Sequence, residues 1–174
     1  MKACRFVDAA VIAMTDPQRT PNHDLAQDLP QHVAWLGYGG LLPFIALAIL
    51  TAVDAPRAPL WSDALVGYGA VILSFVGALH WGFAMSIPTL DPGLRRRAFV
   101  WSVVPALLAW PATVLAGSVA SLILVAGFAW HFVLDRRLAR RAGLAAWYLP
   151  LRWRLTVVAS LCLLAHAWFG VNHV

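Results

Sequence analysis

Apolar positions along this chain are gathered into five long runs, at about residues 33–53, 64–87, 98–115, 118–134 and 155–171, with short polar segments between them. The runs do not alternate apolar with polar as a half-buried strand would, and each is too long to be one. A helix needs about 20 apolar residues to cross a hydrocarbon layer roughly 30 Å thick, within a range of about 17–25. The first two runs meet that easily and the last three lie near its lower limit. Open strands are excluded, because unpaired backbone groups in lipid are too costly. The pattern therefore predicts an all-α fold, a polytopic membrane helix bundle with five transmembrane helices over residues 33–174, preceded by a polar tail over 1–32.

Punctuation refines this picture. Runs three and four meet at Ala116-Gly117, which predicts a tight helical hairpin. Pro43, Pro105 and Pro111 fall inside runs and predict kinks that neighbouring helices accommodate. Pro30 suits the opening turn of the first helix. Near the start, the apolar stretch Phe6–Met14 is short, is broken by Asp8 and leads to no small-residue cleavage site, which argues against a signal peptide. Met14-Thr15-Asp16-Pro17 reads as a more natural beginning.

Composition agrees with a lipid environment. Hydrophobic residues make up 61% and charged residues 12%, against about 25% charged in a soluble domain. The lipid bilayer is thus the first partner. A net charge of +5 does not indicate nucleic acid, because the arginines sit in short clusters between apolar runs and not along one basic face. Cys4 lies in the tail and Cys162 deep in the last run, so no disulfide is expected, and no Cys/His spacing suggests a metal site.

The arginines set the orientation. Lys2, Arg5 and Arg19 lie in the tail, Arg95, Arg96 and Arg97 after the second run, and Arg136, Arg137, Arg140, Arg141, Arg152 and Arg154 after the fourth. With five crossings, twelve of the 13 Lys and Arg residues share one side and Arg57 alone takes the other. The positive-inside rule puts the N-terminus in the cytoplasm and the C-terminus outside. Within 136–154, the four arginines Arg136, Arg137, Arg140 and Arg141 share a helical face, near the interface-favouring Trp147, Tyr148 and Trp153. That segment is expected to anchor at the membrane surface or to dock a lipid headgroup or partner.

Chemistry, if any, lies with the titratable groups inside the runs: His80, His131 and His166, with Asp54 and Asp135 at helix borders. On the second run Gly69, Gly77, His80 and Ala84 share one side, beside a small-residue stripe of Ala70, Ser74, Ala78 and Gly82. Tyr68, Ile72, Phe75, Leu79 and Phe83 are expected to face lipid. His131 and Asp135 stand four apart on one helix face. Their depths allow a joint His80–His131 site and make His166 harder to include. Three roles are open: hydrogen bonds that fix packing, proton or substrate handling, and haem ligation by His80 and His131. The sequence contains no mid-membrane carboxylate, GxSxG, HExxH or phosphate loop, so no catalytic residues, metal ligands or cofactor are assigned.

Several phrases occur in order across residues 33–170: Leu36-Gly37-Tyr38 with Gly40-Leu41-Leu42-Pro43-Phe44; Ile72-Leu73-Ser74-Phe75 with His80-Trp81-Gly82; Ser102-Val103-Val104-Pro105 with Ala109-Trp110; and Trp147-Tyr148 with Leu151-Arg152. The chain thereby resembles the family called domain of unknown function 3429. The resemblance implies a small multi-helix protein of the bacterial or mitochondrial inner membrane, with no activity to carry over. It marks His80, Trp81, Gly82, Trp147, Tyr148 and Arg152 as positions to test. With one lysine and abundant arginine and alanine, a bacterial inner-membrane protein with a periplasmic C-terminus is expected. Its expected role is as a non-enzymatic accessory or assembly component that meets another membrane protein or a second copy of itself. A small transporter or proton-conducting protein and a haem-binding redox protein are the alternatives.

Overall fold

The computed structural model describes residues 31–115 and 117–172, without the side chains of 169–172. The polar tail through Pro30, with Cys4 and the start at Met14, lies outside the described residues, as does Ala116 of the expected hairpin. Six α-helices follow in order: α1 (Gln31–Gly39), α2 (Leu42–Val53), α3 (Ala58–Ser86), α4 (Pro92–Ala112), α5 (Ser118–Ala142) and α6 (Tyr148–Asn172). A 3-10 turn, Ala55–Arg57, joins α2 to α3, and the described residues contain no strand. The protein is an all-α membrane helix bundle.

Helix boundaries depart from the apolar runs for identifiable reasons. The first run is two helices, because Gly39-Gly40 favours helix weakly and Pro43 has no N–H to give to a preceding turn. The chain breaks at Gly40-Leu41, Pro43 opens α2 instead of kinking a longer helix, and Tyr68 Oη donates to the freed Gly40 carbonyl at 2.8 Å. Helix α4 starts at an Asp91 cap, whose side chain accepts from the Leu94 N–H at 3.0 Å, and ends at Ala112, short of the expected Leu115. Its partner α5 begins after Gly117, which holds a φ of +72° that favours glycine. The fourth run does not stop at Leu134. Strong helix formers carry α5 on to Ala142, where Gly143 ends it in the left-handed conformation, with φ +62°. Arg136, Arg137, Arg140 and Arg141 therefore ride on α5, and the expected loop over 136–154 contracts to the residues just before Tyr148.

Four stretches are long and apolar enough to cross a membrane: Gln31–Val53, Ala55–Ser86, Ser118–Ala142 and Tyr148–Trp168. Helix α4 differs from them, since Arg95, Arg96 and Arg97 occupy its first turns and only Ala98–Ala112 is free of charge.

At the centre stands α3, which packs against α2, α4, α5 and α6. Phe44, Leu65, Leu73, Leu124, Phe128 and Leu163 form the middle of the core. Two approaches there are too close for a Cβ unless the neighbour shifts, which a leucine tip can do and a proline ring cannot. A Cβ on Gly77 would stand 2.8 Å from Cβ and Cγ of Pro105, and one on Gly127 would stand 2.6 Å from Leu73 Cδ2. The α3–α4 contact is thus a proline ring seated against a bare backbone. The small-residue stripe is corrected in part: Ala70 is buried, but Ala78 and Gly82 are exposed, and the inward face runs Leu65, Gly69, Leu73, Val76, Gly77, His80, Ala84. Phe83, expected in lipid, is half-buried against the rings of His80 and Tyr148.

Candidate functional site

Near the arginine-rich end, three helices bring their polar side chains to one point. His80 comes from α3, His131 and Asp135 from successive turns of α5, and Arg152 from the first turn and a half of α6. His131 and Asp135 are fully buried, His80 is 3% exposed and Arg152 6%. Arg152 Nε donates to Asp135 Oδ2 at 2.8 Å, so the carboxylate is held by a charge-assisted hydrogen bond. The other oxygen, Oδ1, faces His131 Nε2 at 3.6 Å and His80 Nδ1 at 3.7 Å, beyond hydrogen-bond reach. The two imidazoles meet edge to face with their centres 4.8 Å apart. Trp101, from α4, stacks on His131 and its Nε1–H donates to His131 Nδ1 at 3.0 Å.

That last bond determines much of the chemistry. An indole nitrogen only donates, so His131 Nδ1 must carry the lone pair, and the neutral ring then bears its proton on Nε2, towards Asp135. One nitrogen of His80, one of His131 and one oxygen of Asp135 all lie within 4.8 Å of one another, a spacing a metal ion could bridge. The donor set does not fit that use. A metal at His131 Nε2 would need the lone pair that the Trp101 bond assigns to the opposite nitrogen. The site is built as a buried carboxylate ringed by donors. Haem fits no better, since two rings 4.8 Å apart leave no room for a porphyrin between them.

The network is incomplete. Both nitrogens of His80, His131 Nε2, Asp135 Oδ1, Arg152 Nη2 and Thr156 Oγ1 are buried without a hydrogen-bond partner among the described residues, while Tyr148 Oη stands close to Asp135 and Arg152 without a bond of normal geometry to either. Buried polar atoms are paired in the great majority of cases, so a concentration of orphans marks a place with more to bind.

His166 is not part of this group. It lies at the opposite end of the bundle, where Ser62 Oγ meets its Nε2 and Ser121 Oγ meets its Nδ1 at 2.8 Å. One nitrogen donates and the other accepts, so both serines are used and the ring is satisfied. Of the other sequence candidates, Trp81 is exposed and packs edge-on to Phe99, with Nε1–H donating to Met85 Sδ at 3.0 Å. Arg136, Arg137, Arg140 and Arg141 are exposed and Trp147 is half-buried, whereas Tyr148 and Arg152 are buried inside the bundle.

Arg152 as the partner of Asp135 escaped the sequence reading, as did Trp101, Ser62 and Ser121. A signal for Arg152 existed. Positions 152, 156, 159, 163 and 166 repeat at spacings of four and three, and Arg152, Thr156, Ala159, Leu163 and His166 are all buried. Trp101 had no such mark.

Residues 29–168 match the family model described as "Protein of unknown function (DUF3429)". This chain belongs to the DUF3429 family. Among curated relatives of this DUF3429 protein, Transmembrane protein 69 of Xenopus tropicalis is 36% identical over 134 residues, covering 76% of this chain and 52% of the relative. Transmembrane protein 69 of Mus musculus is 26% identical over 125 residues, covering 68% of this chain and 50% of the relative. The chain thus spans about half the length of these curated relatives. No solved structure matches it. The family and the apolar helices together make it a multi-pass membrane protein.

Proposed function

We propose that this DUF3429 protein is a five-pass component of the bacterial inner membrane, N-terminus cytoplasmic and C-terminus periplasmic, that acts as a non-enzymatic accessory or assembly factor of a larger membrane complex. The observation that carries this reading is the dry core between its two polar ends. On α3, Ser62 and His80 are 18 positions apart, roughly 27 Å at 1.5 Å per residue. Between them the inward face is Leu65, Val66, Gly69, Ala70, Leu73, Val76 and Gly77, met by Phe44, Leu124, Phe128 and Leu163. A transporter or proton conductor needs polar groups across that distance, and beyond Ser102 and Thr156, near the arginine-rich end, this face is met by carbon. The charged cluster instead ties α4, α5 and α6 together by hydrogen bonds at one end, with His80 of α3 packed against the His131 ring, as a rigid adaptor requires.

The outer surface supports the same role. Trp35, Trp110, Trp130, Trp153 and Trp168 are all more than half exposed, and α1 has no buried residue. Large flat aromatics are favoured anchors where one protein meets another. Arginine distribution supports the orientation, and the seating of Pro105 against Gly77 supports α4 as the fifth span.

Mild-detergent affinity purification from native membranes, followed by native-gel sizing and mass spectrometry, tests the proposal. Stoichiometric recovery with a larger complex is the expected result. A chain that runs alone, and whose deletion leaves every membrane complex unchanged, would sink it.

A further inference from the structure

A cleft of about 290 Å³ opens between the start of α4 and the end of α5, lined by Arg97, Arg137, Arg141, Trp101 and, at its floor, His80. None of the three arginines has an ion-pair or hydrogen-bond partner among the described residues. His80 is buried and neither of its ring nitrogens has a hydrogen-bond partner among the described residues. Three forked cations and an unpaired imidazole converging on one space are the donor set of a phosphate site. Asp135 stands behind His80, and Arg152 already offsets its charge.

A second cavity, of about 360 Å³, shares Arg97, Trp101 and Leu134 with the first and adds Arg96 and Val100. Arginines sit at its rim while Val100, Trp101 and Leu134 line it with carbon. The adjoining spaces thus pair a cationic pocket with an apolar groove. The first is no larger than the smallest drug-sized pockets, about 300 Å³, which suits a headgroup better than a whole metabolite.

We propose that this cleft is a binding site for an anionic membrane phospholipid, its phosphodiester held by Arg97, Arg137, Arg141 and His80 and an acyl chain lying along Val100, Trp101 and Leu134. Bound there, the lipid supplies an acceptor to the orphaned imidazole of His80, the one member of the cluster that lines the cleft. It also neutralises a concentration of positive charge where α4 and α5 approach.

The test uses the full-length chain, stripped of lipid in detergent and then offered phosphatidylglycerol, phosphatidylcholine or inorganic phosphate, with retained ligand counted by native mass spectrometry. One phosphatidylglycerol is expected to be retained, with phosphatidylcholine washed away and inorganic phosphate unable to displace it. Arg137→Ala with Arg141→Ala should lower retention about tenfold or more, given the strength of hydrogen bonds between charged groups. Arg136→Ala with Arg140→Ala, on the same exposed turns but outside the cleft, should leave it unchanged. Both pairs are exposed, so folding is not at risk in either. Equal loss in the two pairs would reduce the effect to diffuse surface charge and overturn the site. Displacement by inorganic phosphate would make it a free-anion site and overturn the lipid assignment, as would equal retention of phosphatidylcholine.

Discussion

The two ends of the bundle each bury histidine, and they treat it in opposite ways. At one end His166 sits between Ser62 and Ser121 with both nitrogens used. At the other, His80 and His131 crowd a carboxylate that Arg152 already holds; among the described residues, four of the six imidazole nitrogen and carboxylate oxygen positions there lack a partner, and the other two are taken up by Trp101 and Arg152. The difference separates two meanings of an intramembrane histidine. A saturated ring fixes packing and asks for nothing more. An unsaturated, charged group bordering a cationic cleft keeps binding capacity in reserve.

Removing one charge from the unsaturated end should have the largest effect. Asp135→Ala leaves Arg152 buried and uncompensated, a loss of about 3–5 kcal/mol; unfolding in mixed detergent would measure it. Replacing both partners, Asp135→Leu with Arg152→Leu, should recover most of that loss. If the double variant is as unstable as the single ones, the ion pair is not the interaction that matters. Next comes the contact that holds α4 onto the centre. Gly77→Ala drives a methyl into the Pro105 ring, which cannot rotate away, and should cost about 3 kcal/mol, read as a lowered thermal midpoint.

The saturated end should respond more mildly. Ser121→Ala leaves one nitrogen of His166 unpaired and the other still bonded to Ser62, a loss of about 1–2 kcal/mol. It should leave phosphatidylglycerol retention untouched. A fall in retention would join the two ends and break the contrast between them. A comparable effect, about 1–2 kcal/mol, is expected for Trp101→Phe, which leaves His131 Nδ1 unpaired. That variant frees the His131 tautomer, so Zn²⁺ should raise its midpoint while leaving the parent protein unmoved. Equal stabilisation of both would show that the indole bond does not govern the site.

Much of this architecture was legible in the sequence because lipid leaves few choices. Apolar length specifies helices, and the face shared by Gly69, Gly77, His80 and Ala84 foretold that His80 turns inward. The His131–Asp135 spacing likewise put both on one side of one helix. What the runs could not show is where a helix continues beyond its apolar stretch. Asp135 through Ala142 is polar yet helical, and that continuation carries Arg137 and Arg141 to the cleft. Nor does a cluster of arginines declare which member is internal. Arg152 differs from its neighbours only in the repeat it begins along α6. Trp101 acquires its role from the distance between α4 and α5, which no local pattern encodes.

The charged start and short apolar length of α4 bear on how the protein is made. On the five-pass reading, a helix that enters with Arg95, Arg96 and Arg97 and keeps only Ala98–Ala112 for the hydrocarbon is a weak candidate for release into lipid by itself. Its surest partner is already present in α3, synthesised just before it, whose bare backbone at Gly77 receives the Pro105 ring. On that reading, α4 depends on the packing of Pro105 against Gly77 to stay in the hydrocarbon, and α3 and α4 are expected to insert together as a hairpin.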